Sequence, residues 1–222
     1  MGASLLDFLV SLEASEGQIS ILDIGCGWGE FLPEMLWKAL QKQQLRSIAY
    51  FGVDIGEKPI KWLTNRFPSF HFAATLTSFS FQRISYVTPM LLLKETLTKT
   101  LTHLSLSEAL DACVDLPSLP DVSLAVLRHV SQHLERRDVL RIFQNLRRLR
   151  PRLFLASSWP SATNQELFLG SSAFGAQAPQ RNFEGYDLTK PPFSLTEPLK
   201  RFGEAGGEEL LLYPGAALDA MA

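Results

Sequence analysis

The feature that most constrains the fold is a glycine-rich stretch near the amino terminus, residues 20–30, which reads S-I-L-D-I-G-C-G-W-G-E. Ile21, Leu22 and Ile24 form a short apolar run, as in a strand that is buried on both faces of a parallel sheet. The three glycines that follow permit a tight turn, because glycine adopts positive φ and carries no Cβ. Helical spacing of apolar residues starts at Phe31. A strand, a glycine turn and a helix start in this order favour a nucleotide-binding site.

A second predicted strand ends in an acid. Residues 48–54, I-A-Y-F-G-V-D, lead to Asp54, and open α/β sheets hold a ribose against an acid in this position. Asp23 lies inside the first strand, where a carboxylate is costly to bury unless the loop or a ligand cation binds it. The dinucleotide fingerprint requires a third glycine where this chain has Glu30. A dinucleotide ligand is therefore disfavoured.

The motifs D-I-G-C-G-W-G and G-V-D, at this distance, resemble those of the class I S-adenosylmethionine-dependent methyltransferases. In that family the glycine loop cradles the methionine part of the cofactor, and the acid at the end of the second strand binds the ribose. The resemblance implies S-adenosyl-L-methionine as the cofactor. It assigns cofactor binding to Asp23, Gly25, Cys26, Gly27, Gly29, Asp54, Ile55, Asp115, Leu116 and Arg128.

The resemblance also implies the fold: an α/β, Rossmann-like, doubly wound sheet of seven mostly parallel strands with a carboxyl-terminal antiparallel hairpin. The length of 222 residues suits a single domain, residues 1–222. Helical spacing with the capping pair Ser4 and Asp7 predicts a helix before the first strand. Further strands are predicted at 70–73, 120–127 and 152–157, a helix at 135–148, and hairpin strands at 198–203 and 208–213.

Residues 75–112 interrupt this pattern. The stretch is rich in serine, threonine and leucine, contains no glycine, and is far longer than an ordinary connection between elements. We interpret it as an insertion. It is either a lid or partner-binding surface, or a poorly ordered insert.

The stretch R-H-V-S-Q-H-L, residues 128–134, follows the predicted fourth strand. Ligands of doubly wound sheets collect at the carboxyl ends of the strands, so this stretch is expected near the methyl group that is transferred. His133 and His129 are the candidate catalytic bases, because an unperturbed histidine pKa near 6.5 suits proton transfer at neutral pH. The alternative for either residue is a purely structural bond to the backbone.

A later stretch, residues 181–195, reads R-N-F-E-G-Y-D-L-T-K-P-P-F-S-L. Together with residues 128–134 and Asn164, it looks like a group of class I methyltransferases in which a loop ending in L-x-x-P-P-F crosses the cofactor site. The resemblance places Asn164, Arg181 and Tyr186 at the substrate. Alternatively, Tyr186 only packs the loop down.

The composition restricts the partners. The net charge is −2 and the isoelectric point is about 6.1, so no strong positive field would attract nucleic acid or an anionic membrane. Cys26 and Cys113 are too few for a disulfide framework or a four-cysteine zinc site, which fits a cytoplasmic protein. No apolar run approaches the length of a membrane span. We expect a small-molecule substrate, no nucleic acid and no membrane; the oligomeric state is left open.

These observations predict a methyltransferase that acts by direct in-line transfer to a small molecule. The sulfonium has a good leaving group, so the protein mainly holds donor and acceptor in contact, and no metal is expected. One alternative is a protein of the same fold that binds the cofactor without transferring methyl, which the insertion and the short segment before the first strand favour. An NAD(P)-dependent oxidoreductase is disfavoured by Glu30.

Overall fold

The computed structural model describes residues 4–74, 119, 121–134, 136–164 and 185–221. The predicted insertion at 75–112 lies outside the described residues, as do Asp115, Leu116 and Arg181. Among the described residues, no helix combines the length and the apolar character that crossing a membrane requires.

One sheet forms the centre of the described part of the chain. Its strands are β1 Ile19–Ile24, β2 Ile48–Asp54, β3 His71–Ala74, β4 Leu124–Leu127, β5 Leu153–Ser158, β6 Lys200–Gly203 and β7 Glu209–Pro214. These seven described strands lie in the order β3-β2-β1-β4-β5-β7-β6. β1 to β5 are parallel to one another, whereas β7 runs antiparallel to both β5 and β6. The predicted fold class is thereby confirmed.

Helices cover both faces of the sheet, which explains why the parallel strands are apolar on both sides. The helices are α1 Leu5–Glu16, α2 Leu32–Gln41, α3 Glu57–Arg66 and α4 Arg136–Leu149. Apolar side chains of α1, α2 and α3 share one core cluster with β1 and β4. Those of α4 share the other with β4, β5 and β7.

The first helix begins as its sequence predicts. Ser4 and Asp7 form a reciprocal capping box, in which each side chain accepts a hydrogen bond from the other's backbone amide. At the other end of the helix, the buried Glu13 carboxylate accepts the amide of Arg46 at 2.7 Å and also that of Ser47. These two residues precede β2, so α1 is fixed beside the amino-terminal edge of the sheet.

The strand order reverses between β1 and β4. β1 pairs with β2 on one side and with β4 on the other, although β3 precedes β4 in the chain. The connections that leave β1 and β4 therefore diverge to opposite faces and open a crevice at the carboxyl edge, which is where ligands of doubly wound sheets bind.

Candidate cofactor and acceptor site

The loop after β1 contains three glycines with positive φ: Gly25 at 74°, Gly27 at 55° and Gly29 at 71°. A Cβ added to Gly25 would lie 2.1 Å from Val130 Cγ2, and one added to Gly29 would lie 2.3 Å from Leu63 Cδ2. At Gly27 an added Cβ would meet nothing within 4 Å. Packing therefore excludes side chains at Gly25 and Gly29, whereas Gly27 faces open space in which a ligand can approach the backbone.

Backbone amides tie this loop to the end of β2. The N–H groups of Gly25 and Cys26 donate to the carbonyl of Val53 at 2.7 and 3.2 Å. Gly27 N–H donates to Asp54 Oδ2 at 2.8 Å, and Gly56 N–H donates to Asp54 Oδ1 at 2.8 Å. Each carboxylate oxygen has two lone pairs, so both can accept a further hydrogen bond from a ligand hydroxyl.

The Cys26 backbone N–H bonds to the end of β2, and its side chain is not a reactive thiolate. The thiol is buried, and burial together with the nearby carboxylates of Asp23 and Asp54 raises its pKa far above the usual range. A neutral, buried thiol is a poor nucleophile and a poor metal ligand.

Asp23 is buried one residue before the end of β1. Tyr50, on the adjacent strand, donates its hydroxyl to Asp23 Oδ2 at 2.5 Å. Burial raises the pKa of Asp23 to about 6, although the hydrogen bond from Tyr50 and the charge of Arg128 act in the opposite direction. A cationic ligand group near this carboxylate would lower its raised pKa, because the positive charge stabilises the ionised form.

An exposed apolar surface adjoins Asp54. Ile55 is 56% exposed, and Trp28 of the glycine loop is 50% exposed. Trp28 meets Trp62 of α3 edge-on, with ring centroids 6.0 Å apart. Exposed apolar surface beside Asp54 is chemically compatible with a nucleobase; cofactor contact by Ile55 stays a prediction. The two tryptophans were not predicted, although Trp28 lies within the glycine motif.

Arg128 directly follows β4, and its side chain contacts residues from two other parts of the chain. Its guanidinium pairs with the Glu204 carboxylate, with Nη2 2.7 Å from Oε2 and Nε 3.1 Å from Oε1. It also lies over the ring of Phe31, 4.0 Å from the centroid. Cofactor binding by Arg128 stays a prediction, and in this structure the side chain joins the glycine loop to the segment after β6.

His129 has the positive φ of 55°, unusual for a residue other than glycine. Its backbone N–H donates to Ser157 Oγ at 3.0 Å, and its Nε2 lies 2.5 Å from Glu208 Oε2. Glu204 Oε2 is 3.6 Å from the same nitrogen. Neither glutamate was predicted as a site residue from the sequence. The available signal was a pair of acids flanking the glycines of the predicted hairpin turn.

His133 lies in a short 3₁₀ helix, Ser131–His133, directly after β4. The residue is exposed, and its backbone N–H donates to the carbonyl of Val130 at 3.0 Å. The structure thus brings both predicted catalytic histidines to the carboxyl edge of the sheet. Their catalytic role stays a prediction.

Asn164 and Tyr186 are buried, and their hydrogen bonds hold the loop that precedes β6 in place. The Asn164 amide donates to the carbonyls of Asp187 at 2.7 Å and Pro191 at 2.9 Å, and its Oδ1 accepts the Asp187 amide at 2.7 Å. The Tyr186 hydroxyl donates to the carbonyl of Leu134 at 3.0 Å, and its ring meets Phe193 edge-on. In this structure Tyr186 packs the loop down, which is the alternative to substrate contact. Substrate contact by Asn164 or Tyr186 stays a prediction.

Comparison with known proteins gives similarity at the level of the fold. No family model matches the chain, and no curated protein sequence matches it. Among solved structures, a TehB-like SAM-dependent methyltransferase from Corynebacterium glutamicum is 16% identical, with a TM-score of 0.50 over 96% of this chain and 89% of that one.

Two further structures show the same similarity. The PH0226 protein from Pyrococcus horikoshii is 16% identical, with a TM-score of 0.51 over 94% of this chain and 87% of that one. TehB from Haemophilus influenzae is 15% identical, with a TM-score of 0.51 over 94% of this chain and 61% of that one. The resemblance that the motifs indicate is thus confirmed for the fold: the chain has the architecture of the class I S-adenosylmethionine-dependent methyltransferases.

Proposed function

We propose that the protein is an S-adenosylmethionine-dependent methyltransferase that transfers a methyl group directly, in line, to a small-molecule acceptor. The observation that carries the proposal is the arrangement of Gly27, Asp54 and Ile55. Gly27 has open space before it, Asp54 has lone pairs left for ribose hydroxyls, and Ile55 offers exposed apolar surface for an adenine. The three residues would contact three separate parts of the cofactor: its methionine part, its ribose and its adenine.

The bound cofactor would supply a methyl group on a sulfonium, whose neutral thioether is a good leaving group. The residues of the chain then have to orient the acceptor and exclude water, since positioning alone accounts for much of such a rate. His133, exposed after β4, would accept the proton that an acceptor hydroxyl or amine loses. Asp23 would face the positive end of the amino-acid part of the cofactor.

Calorimetry of the full chain with S-adenosylhomocysteine tests the binding part. We expect association with about one equivalent, and its loss in Gly27→Val, whose side chain would occupy the open space before the loop. Single-turnover transfer of labelled methyl to a metabolite pool tests the chemistry. His133→Ala should slow transfer and spare cofactor affinity; a fall in affinity instead would mean that His133 is misplaced in this proposal.

A second candidate function is cofactor binding without transfer. The internal bonds of the predicted substrate residues favour it, because Asn164 and Tyr186 already have partners in this structure. The single-turnover assay separates the two functions. Binding of S-adenosylhomocysteine with no labelled product from any metabolite pool would support the second.

A further inference from the structure

Three potential metal ligands converge beside the carboxyl end of β4. The imidazole nitrogen of His129 and one carboxylate oxygen each from Glu204 and Glu208 all lie within 4.8 Å of one another. The imidazole comes from the residue after β4, and the two carboxylates come from either end of the turn between β6 and β7. Segments far apart in the chain thus place one nitrogen and two oxygen donors together.

One oxygen of the buried Glu208 carboxylate has no partner within the part of the chain that the structure describes. Its side chain is 7% exposed, and Oε2 lies 2.5 Å from His129 Nε2. Oε1 is buried and has no hydrogen-bond partner among the described residues. Burying a carboxylate oxygen without a donor is unfavourable, and a cation beside Glu208 would offset that cost.

The charges around the cluster favour a cation as well. Glu204 and Glu208 carry two negative charges, and Arg128 supplies one positive charge through its pair with Glu204. With a neutral imidazole the group is net negative. The bidentate contact with Arg128 also fixes the orientation of the Glu204 carboxylate, as residues that bond to metal ligands commonly do.

We propose that His129, Glu204 and Glu208 bind one divalent first-row metal ion. A mixed imidazole and carboxylate set suits Mn²⁺ or Zn²⁺ better than Mg²⁺ or Ca²⁺, which prefer all-oxygen sites. Ligand atoms about 2.0–2.2 Å from an ion lie roughly 3 Å from each other, so binding needs only a small opening of the contact between His129 and Glu208. This site departs from the sequence-based expectation that no metal is present.

Three protein ligands leave coordination positions for water or an acceptor atom. The open positions would lie by the end of β4, beside the crevice. If the proposed function is correct, on which this step rests, the ion holds an acceptor that carries an oxygen or nitrogen donor. Metal binding itself does not require methyl transfer, so the two proposals fail separately.

Titration of the EDTA-treated full chain with Mn²⁺, followed by electron paramagnetic resonance of free Mn²⁺, tests the site. We expect one tight equivalent, and at least a tenfold weaker affinity in Glu208→Gln. Glu209→Gln is the matched control, because Glu209 is the adjacent acid and pairs with Arg201, outside the cluster. Absence of a tight equivalent, or equal affinity in Glu208→Gln and the native chain, would overturn the proposal.

The imidazole gives an independent readout. Electron spin echo modulation of bound Mn²⁺ should show coupling to a ¹⁴N nucleus, and the coupling should vanish in His129→Asn, since asparagine tolerates the positive φ at this position. Bound Mn²⁺ without the ¹⁴N coupling would exclude this site. If Glu208→Gln does not fold, Glu204→Gln decides by the same tenfold criterion. Calorimetry of the EDTA-treated chain with S-adenosylhomocysteine tests cofactor binding apart from the metal.

Discussion

The two halves of the carboxyl edge differ in how their polar groups are used. On the β1–β2 side, Gly27 faces open space and Asp54 keeps lone pairs for a ligand. On the β4–β5 side, Arg128 pairs with Glu204, and the Asn164 side chain is bonded to a neighbouring loop. The first half is built from two short motifs, the glycine turn and the end of β2, and is open. The second half is assembled from distant segments, whose polar side chains bond to one another or to the backbone.

This contrast suggests a division of labour. The open β1–β2 side depends on backbone shape that two short motifs encode, the glycine turn and the end of β2. On the β4–β5 side, Arg128 and Asn164 are held in internal contacts, which a ligand at these groups would have to replace. Substitutions on the two sides should therefore have different effects.

Gly25 and Gly27 should respond differently to the same substitution: Gly25→Ala mainly in stability, and Gly27→Ala mainly in ligand binding. Gly25→Ala places a methyl 2.1 Å from Val130 Cγ2 at positive φ, and we expect a loss of about 4 kcal/mol of unfolding free energy from overpacking and strain together. Gly27→Ala carries only the backbone strain, about 1 kcal/mol, but should weaken S-adenosylhomocysteine binding. Urea denaturation and calorimetry measure the two. Equal stability losses would show that Gly27 is also held by packing.

A substitution at Asn164 tests the internal hydrogen bonds of the β4–β5 side. Asn164→Gly keeps the positive φ of 57° and removes the hydrogen bonds to Asp187 and Pro191. Since buried backbone groups then lose their partners, we expect about 3 kcal/mol of destabilisation in urea denaturation. Unchanged stability with a loss of methyl transfer would instead support the predicted contact with the substrate.

Asp54→Ala should weaken S-adenosylhomocysteine binding by roughly 100-fold, because hydrogen bonds to a carboxylate are worth about 1.5–3 kcal/mol each. The variant also frees the amides of Gly27 and Gly56. Glu30→Ala is the control, since Glu30 is an exposed acid of the same loop. Calorimetry measures both variants. A change below threefold in Asp54→Ala would contradict the ribose-binding role.

Asp23 should make stability depend on pH. Its pKa in the folded protein is about 6, above the ordinary value of 3.8, because the carboxyl group is buried. Its contribution to stability is therefore complete below pH 3.8 and is lost as the pH rises through about 6, by on the order of 3 kcal/mol. Denaturation curves between pH 4 and 7 should show this fall in the native chain relative to Asp23→Asn. A parallel dependence in both would assign the effect to another group.

The sequence predicted local features well where one short run determined them. The bounds of β2, Ile48–Asp54, agree with the prediction because an apolar run ends at an acid. β4 begins at Leu124 rather than at residue 120, as Asp121 takes a positive φ of 47° and extended pairing starts later. β3 and β5 each lie one residue further along the chain than predicted.

The β4–β5 side of the carboxyl edge shows where prediction from sequence fails. Glu204 and Glu208 approach Arg128 and His129 across 76 and 79 residues of chain, through the pairing of β7 with β5. No local pattern encodes that approach. The buried role of Asn164 was missed for the same reason, since its partners lie 23 or more residues away.

The two amides that hold Asp54 have a thermodynamic consequence. Gly27 and Gly56 fix the rotamer of the carboxylate before any ligand arrives. A side chain that becomes immobilised only on binding costs about 0.5–1.5 kcal/mol of entropy, and here that ordering accompanies folding instead. Association at this carboxylate should therefore carry little conformational penalty, so the ligand meets a preorganised acceptor.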